Sequence, residues 1–199
     1  MANRPGFTAR GAFVSTDPPR VMGILNINDD SFSGDGQVDT AWAVDRSLQL
    51  ILAGADLIDV GAESARTNRA AIPVEAEIAR LVPFIERFQQ EIRPRFPGIL
   101  LSLNTWRPEV ADAALRIGGD LLNDMSALPD ARNAEIAARH GAALLIMHSI
   151  GLPKVPHRQQ QYDDVLLAME NFFEEKIGLA LRAGLPREAI ILDPGIDFA

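Results

Sequence analysis

The chain has 199 residues, 47% of them hydrophobic, with a formal net charge of −8 and no cysteine. This length fits one domain with a buried core. The acidic balance argues against nucleic acid or an anionic membrane as the main partner, because both bind basic surfaces. The lack of cysteine excludes disulfides and a thiolate nucleophile, and it is typical of a reducing cytoplasm. No apolar run approaches the ~18–20 residues that cross a bilayer. We therefore expect a cytoplasmic protein with no membrane contact.

The first predicted elements are a hairpin and a strand that ends in a polar loop. Residues 1–20 are predicted to be an N-terminal extension with a hairpin within residues 6–20. An apolar run follows from Val21 and ends at Asn26, and the next ten residues are mostly small, polar or acidic. A buried strand that empties into a long polar loop is typical of a functional loop on a rigid scaffold. Asp39 or Thr40 is placed to cap the first helix, which Gly54 ends.

This strand-and-helix unit then repeats along the chain. Pro83 is predicted to kink or split the second helix, Pro108 suits the first turn of the third, and Asp130 is predicted to cap the fourth. A fifth helix is predicted over residues 164–183. Further strands are predicted over residues 56–60, 99–104, 120–123, 142–147 and 189–193.

Polar side chains lie at or just past the C-terminal end of each predicted strand: Asn26, Asp59, Asn104, Asn123, His148 and Asp193. In a (β/α)8 barrel this end of the strands builds the active site. A doubly wound sheet would instead gather such groups mainly at one switch point. The sequence therefore predicts an α/β fold, a (β/α)8 TIM barrel, with the first six β/α units in residues 1–199 as a single domain. We expect the last two units to be missing from it.

Several motifs resemble dihydropteroate synthase, the pterin enzyme of folate biosynthesis. Gly23-Ile-Leu-Asn-Ile-Asn-Asp-Asp-Ser-Phe-Ser33 is similar to the first motif of that family, and Gly54-Ala-Asp-Leu-Ile-Asp-Val-Gly-Ala-Glu-Ser64 to the second. Shorter matches follow at later strand ends in the family's order, namely Ser102-Leu-Asn-Thr105, Leu122-Asn-Asp124, Ile146-Met-His148 and Ile191-Leu-Asp-Pro-Gly195.

The resemblance implies a transferase that joins 6-hydroxymethyl-7,8-dihydropterin diphosphate to p-aminobenzoate and releases diphosphate. It implies Mg²⁺ as cofactor, with Asn26 as the metal ligand, because an amide oxygen suits a hard cation beside phosphate oxygens. Asn26 and Arg66 would also bind the diphosphate, and Asn26, Arg66 and Asp193 would be the catalytic residues. Loop residues Phe32 and Ser33 would close over the p-aminobenzoate together with Arg66.

The resemblance also implies a pterin site. Asp193 would accept hydrogen bonds from the amino-pyrimidine edge, and Asn123 would offer that ring a donor and an acceptor. Met125 and Met147 would pack on the ring faces, and Asn104 would stand where the family has an acid. His148 is expected to be a hydrogen-bonded wall of the pocket.

Three departures from the family motifs point to reduced activity. Asn104 replaces the acid, which removes a charge expected to stabilise the transition state by a few kcal/mol. Ala65 replaces a hydroxyl residue expected near the diphosphate, and the first loop lacks a family proline. The lysine and Arg-x-His that the family carries on its last two strands cannot be assigned, so we expect these 199 residues alone to be inactive.

Two alternatives remain beside the synthase. One is a catalytically weak paralogue that keeps a pterin-binding pocket, which Asn104 and Ala65 favour. The other is a methyltetrahydrofolate-binding domain of a methyltransferase, although that group lacks the Asp-Ser-Phe-Ser loop. The expected partners are small-molecule substrates, with a possible homodimer through elements outside these residues.

Overall fold

A computed structural model describes residues 4–27, 39–63, 70–149, 151, 153–155 and 162–196. The predicted N-terminal hairpin is confirmed, with β1 (Gly6–Ala9) antiparallel to β2 (Ala12–Ser15). Arg10 and Gly11 form its turn, and both have positive φ angles, of 52° and 76°. A two-residue turn of this kind matches the twist of the strands that it joins.

The predicted parallel sheet is confirmed, and its six strands are hydrogen-bonded in sequential order. Each strand end lies within one residue of its prediction. This order is that of the first six strands of a (β/α)8 barrel. The strands are β3 (Met22–Asn26), β4 (Leu57–Gly61), β5 (Leu100–Asn104), β6 (Leu121–Asp124), β7 (Ala143–Met147) and β8 (Ile190–Asp193).

Five helices connect or follow these strands in the part of the chain that the structure describes. Asp39 caps the first, because its Oδ1 accepts a hydrogen bond from the Trp42 amide at 2.9 Å, and Asp164 caps the fifth through the Leu167 amide at 3.0 Å. Pro108 begins the third helix as predicted. The helices are α1 (Thr40–Leu52), α2 (Val74–Arg87), α3 (Pro108–Ile117), α4 (Arg132–His140) and α5 (Val165–Arg182).

Two details of the helices differ from prediction. Pro83 does not split α2, whose helical hydrogen bonding continues to Arg87 and then into a π-helical segment, Phe88–Ile92. Leu81, Phe84 and Ile85 are fully buried around the proline, and this packing offsets the one hydrogen bond that proline cannot make. Asp130 precedes the N-cap residue of α4 and accepts a hydrogen bond from the Arg132 amide at 2.9 Å.

The core has two layers, as expected for helices packed outside a curved sheet. The larger one lies between the sheet and the helices and includes Leu25, Val60, Leu101 and Phe84. The smaller one joins Phe7 and Ala9 of the hairpin to Leu57, Leu121 and Ala143 on the inner face of the sheet. The hairpin therefore covers the inner face at the N-terminal end of the strands, opposite the polar strand ends.

Arg10 holds the hairpin to the ends of two helices. Its guanidinium donates to the backbone oxygens of Leu115 at 2.9 Å, Gly119 at 2.7 Å and His140 at 2.7 Å. The carbonyls at a helix C-terminus lack intrahelical partners and carry partial negative charge, so a cation is well placed there.

The two outer strands of the sheet, β3 and β8, pair on one side only within the described ranges. Ile24 on β3 is 66% exposed and Leu192 on β8 is 42% exposed. The barrel is therefore incomplete in this chain. Among the described residues, no helix is long and apolar enough to cross a membrane.

Candidate active site

The polar strand ends predicted from the sequence lie at one edge of the sheet. Asn26 pairs in register with Gly61, Gly61 with Asn104, and Asn104 with Asn123. Residues paired in register on parallel strands point to the same face. The three asparagine side chains therefore lie in one row at the C-terminal end of the strands.

Asp193 ends β8 in the next row, where it pairs in register with Met147. Its Oδ1 accepts a hydrogen bond from the Gly195 amide at 2.8 Å, and its backbone oxygen accepts one from the His148 amide at 2.8 Å. Gly195 has a φ of +66°, and a Cβ there would lie 2.0 Å from the His148 oxygen. Only glycine fits this turn. The turn holds the Asp193 carboxylate at the C-terminal end of the strands, which we call the mouth of the barrel.

Asp59 lies on β4, two residues before Gly61, and its carboxylate contacts three side chains of the adjoining strands. Its side chain is only 4% exposed. Oδ1 accepts a hydrogen bond from Ser102 Oγ at 2.5 Å, and Oδ2 accepts one from Asn104 Nδ2 at 3.0 Å. Asn123 Nδ2 lies 3.2 Å from both carboxylate oxygens. Burial raises the pKa of Asp59, and these three donors oppose that rise.

Asp124 organises the loop that follows Asn123. The buried carboxylate accepts hydrogen bonds from the Ser126 amide at 2.8 Å, from Ser126 Oγ at 2.5 Å and from Asn133 Nδ2 at 2.8 Å. Asn133 Nδ2 also donates to the Trp106 backbone oxygen at 3.1 Å, in the loop after β5. Burial raises the pKa of Asp124. Through Asn133 on α4, this cluster joins the two loops that follow the predicted pterin residues Asn104 and Asn123.

A second charged cluster ties other loops of the mouth to α2. Arg107, after β5, lies 2.7 Å from Glu63 Oε2, after β4, and 3.1 Å from Glu77 Oε2 on α2. Lys154, after β7, lies 3.2 Å from Glu63 Oε1. Burial raises the pKa of Glu77, while Thr105 and Arg107 oppose the rise. Two buried acids and two cations from four segments thus form one network.

His148, predicted to be a wall of the pocket, is buried directly after β7 and packs against α5. It is 4% exposed, and its ring meets Phe172 edge-on with the centroids 4.8 Å apart. Within the described ranges its Nδ1 has no hydrogen-bond partner, and neither has the buried hydroxyl of Tyr162, whose ring centroid lies 6.4 Å away. The hydrogen bond predicted for the ring is therefore absent at Nδ1 among these residues.

The remaining predicted site residues are placed as follows. Asn26 has an exposed side chain at the end of β3. Met125 is half-buried directly after β6, whereas Met147 is only 3% exposed. Phe32, Ser33 and Arg66 lie outside the described residues, and so does Ala65. Among the described residues there is no group of three or more acidic, histidine or cysteine side chains that could hold a metal by itself.

Sequence reasoning placed Asp59 at a strand end but gave it no role in the site. Its signal was present, because Leu57, Asp59 and Gly61 alternate along β4 and share the inner face with the predicted row. Glu77 and Arg107 were missed, and Asp124 was noted only as part of the Leu122-Asn-Asp124 motif. Apart from Ser126, the partners described above lie 9 to 44 residues away along the chain, and no local pattern marks such pairs.

The described residues form six parallel strands, and a helix follows each of the first five, so the predicted sixth β/α unit is seen only as its strand. Polar side chains at the C-terminal ends of such strands are typical of a barrel protein with its ligand site at that end. A family model described as pterin binding enzyme matches residues 22–199, and the chain belongs to that family.

Named relatives agree with this assignment. The dihydropteroate synthase of Escherichia coli K12 is 36% identical over 191 residues, which cover 96% of this chain and 66% of the relative. A probable bifunctional folylpolyglutamate synthase/dihydropteroate synthase of Haloferax volcanii is 39% identical over 183 residues, covering 92% of this chain and 21% of the relative. The chain therefore spans only part of these relatives.

A solved structure supports the fold directly. Xanthomonas albilineans dihydropteroate synthase with 4-aminobenzoic acid matches with a TM-score of 0.82 at 36% identity, covering 98% of this chain and 68% of that chain. Together with the strand order, this likeness confirms the barrel fold predicted from the polar strand ends, and it confirms the resemblance to dihydropteroate synthase.

Proposed function

We propose that this chain contributes the pterin site of a dihydropteroate synthase. Such an enzyme condenses 6-hydroxymethyl-7,8-dihydropterin diphosphate with p-aminobenzoate and releases diphosphate. The observation that carries the proposal is the row of Asn26, Asn104 and Asn123 beside Asp193 at one end of the sheet. Relatives of that name share about a third of its residues, and solved structures of dihydropteroate synthases hold 4-aminobenzoic acid or 7,8-dihydropteroate.

The pterin ring is proposed to bind between Asp193 and the two inner asparagines. Asp193 accepts hydrogen bonds from the 2-amino group and the adjacent ring N–H, because a carboxylate offers only acceptors. Asn104 and Asn123 contact the ring with their side-chain amides. Met125 and Met147 pack against its faces, where a flexible thioether adapts to an aromatic surface.

The diphosphate is proposed to bind at the opposite side of the mouth, at Asn26 and Arg66. Mg²⁺ fits this donor set, because an amide oxygen is a suitable neutral ligand and the substrate phosphates supply the remaining charge. When bound, the ion neutralises the leaving diphosphate. Phe32, Ser33 and Arg66 are proposed to hold the p-aminobenzoate.

The reaction breaks the bond between the pterin methylene carbon and the diphosphate oxygen, which keeps the electron pair. The amine nitrogen of p-aminobenzoate forms the new bond to that carbon and loses a proton. Positive charge develops on the pterin as the leaving group departs. The carboxylates of Asp193 and Asp59 stabilise this charge, the second from behind Asn104 at 3.0 Å from its amide nitrogen.

One observation favours a second candidate, a binding protein with weak or no transferase activity. Asn104 carries no charge where the family motif has an acid, so the acid nearest to it on the inner face is the buried Asp59. Inactivity of these 199 residues alone, a homodimer and a cytoplasmic location are likewise proposals that stem from the sequence.

A titration with 6-hydroxymethylpterin, followed by its fluorescence, tests the pterin site. We expect the chain to bind it and Asp193→Asn to weaken binding at least about tenfold, which corresponds to roughly 1.4 kcal/mol. Asp130→Asn is the matched control, since Asp130 lies at the start of α4 and pairs with Arg132. Equal binding by Asp193→Asn and the parent chain, or no binding at all, would contradict the proposal.

A further inference from the structure

Asp59 holds the side-chain amides of two residues that are proposed to touch the pterin. Asn104 Nδ2 donates to its Oδ2 at 3.0 Å, and Asn123 Nδ2 lies 3.2 Å from each of its oxygens. Asn104 and Asn123 are half-buried and face the mouth, while Asp59 is only 4% exposed beneath them. A ligand at the mouth therefore meets the two amides and not the acid.

A carboxylate distinguishes the two ends of an amide. An ionised carboxylate accepts hydrogen bonds only, whereas an amide has a donor nitrogen at one end and an acceptor oxygen at the other. Turning either amide by half a rotation would place its oxygen against the oxygens of Asp59, with loss of the hydrogen bond and added repulsion. One buried acid therefore fixes the direction of both amides.

This direction determines what the mouth offers a ligand. With both nitrogens turned towards Asp59, both amide oxygens point away from it, towards the mouth. Together with Asp193, the site then presents acceptors at three places. A heterocycle with N–H donors along its edge satisfies them, whereas a ring with carbonyl oxygens in those places would leave them unpaired, which is a strong basis for discrimination.

We propose that Asp59 is a positioning residue, which turns the amide oxygens of Asn104 and Asn123 towards the 2-amino and ring N–H donors of the pterin. The site thereby selects pterins over analogues that carry a carbonyl oxygen in place of the 2-amino group. The inference rests on the proposed pterin site. It adds to that site a determinant of specificity that does not itself touch the ligand.

The test compares two ligands, pterin and lumazine, which carries an oxygen in place of the 2-amino group. Asp59→Asn keeps the shape of the side chain, but its single acceptor oxygen can hold only one of the two amides in place. Its nitrogen is a donor, so it favours the other amide turned with its oxygen towards position 59. We expect pterin to bind at least about tenfold more weakly to this variant, whereas lumazine binds as well as before or better. A merely structural defect would weaken both ligands alike.

Asp56→Asn is the matched control. Asp56 precedes β4 at the opposite end of the same strand, where its carboxylate accepts from the Val21 amide at 2.9 Å and from Arg20 at 2.9 Å. We expect this variant to keep the preference for pterin unchanged.

A double exchange provides the rescue. In Asp59→Asn with Asn104→Asp, the new amide at position 59 donates to the acid at position 104 and accepts from Asn123. This arrangement directs acceptors to the mouth again, so the preference for pterin should return. Failure of the exchange to restore it, where Asp59→Asn alone has lost it, would overturn the proposal.

Two other outcomes separate this inference from the function on which it rests. If the parent chain prefers pterin and Asp59→Asn keeps the same ratio, the inference is wrong and the pterin site stands. If the parent chain binds neither ligand, both are overturned. If Asp59→Asn fails to fold, NMR of the parent chain provides the test. It measures couplings across the hydrogen bonds from Asn104 Nδ2 and Asn123 Nδ2 to the Asp59 carboxyl carbon. Their presence supports the proposal and their absence overturns it.

Discussion

The guanidinium of Arg107 lies 2.7 Å from the carboxylate of Glu63, and this ion pair joins the loop after β5 to the loop after β4 at the mouth of the barrel. The same guanidinium lies 3.1 Å from Glu77, whose side chain is 1% exposed. The loops around the proposed pterin site are therefore held by charges that are largely shielded from water.

Arg107→Met tests this network, because it leaves two buried carboxylates without their shared cation. We expect a loss of about 3–5 kcal/mol in the free energy of unfolding, as is usual when one partner of a buried pair is removed. Urea denaturation measures it. Arg116→Met is the control, since the Arg116 side chain is 69% exposed and pairs with Asp112, four residues earlier on α3. A similar loss in both variants would contradict the assignment.

Asp124→Asn should change how stability depends on pH. The pKa of Asp124 is raised by burial, so its favourable contribution is complete below the unfolded value of about 3.9 and is lost as pH rises through the folded pKa. The variant should therefore gain stability relative to the parent chain as pH increases. Denaturation with urea at a series of pH values measures the difference.

Asp130→Asn is predicted to show the opposite sign. Hydrogen bonds from the Arg132 side chain and amide lower the pKa of this exposed acid, so its contribution is present above the unfolded value and is lost as pH falls. Parallel pH profiles for the Asp124 and Asp130 variants would refute at least one of the two assignments.

Arg10→Ala should loosen the hairpin from the helix ends. Three backbone oxygens lose their charged donor, and we expect a loss of about 1–3 kcal/mol in the free energy of unfolding. Arg46→Ala, at an exposed position on α1 where Arg46 pairs with Gln49, should change it by less than about 0.5 kcal/mol. Thermal unfolding of both variants decides, and equal melting temperatures would exclude the capping role of Arg10.

Asn104→Asp should be costly at neutral pH. The change replaces a donor 3.0 Å from Asp59 by a second carboxylate, and two such groups cannot both ionise at this distance. At least one folded pKa then exceeds its unfolded value, so the variant should be closest to the parent chain in stability near pH 4 and fall behind as pH rises, over roughly pH 4–8. Gln90→Glu, which adds an acid on the exposed side of the π-helical segment, should show no such trend.

The order of elements and the row of polar strand ends could be predicted from the sequence because both follow local patterns. Alternating apolar runs predicted all six parallel strands, and the polar residue after each run marked the mouth. The prediction that Pro83 splits the second helix was wrong, because it considered only the backbone hydrogen bond that proline cannot make. Burial of Leu81, Phe84 and Ile85 offsets that loss, and only the fold reveals this burial. Asp59 was visible as a strand-end acid, yet its partners depend on the register of three strands.

The Arg107 network shows a second limit. Glu63, Glu77 and Lys154 meet Arg107 or one another only after four segments have closed around the mouth. Each of them alone reads as an ordinary surface charge. Their burial results from loop packing, which no periodic pattern in the sequence describes.

The most direct test of the account is the affinity of the chain for 6-hydroxymethylpterin and for its diphosphate, each measured with and without Mg²⁺. If one mouth holds the ring at Asp193 and the diphosphate at Asn26, Mg²⁺ should tighten binding of the diphosphate by at least about tenfold and leave the pterin unaffected. Asn26→Ala should abolish that gain and keep the affinity for the pterin. A gain from Mg²⁺ that survives in Asn26→Ala, or equal binding of the two ligands under all conditions, would contradict the account.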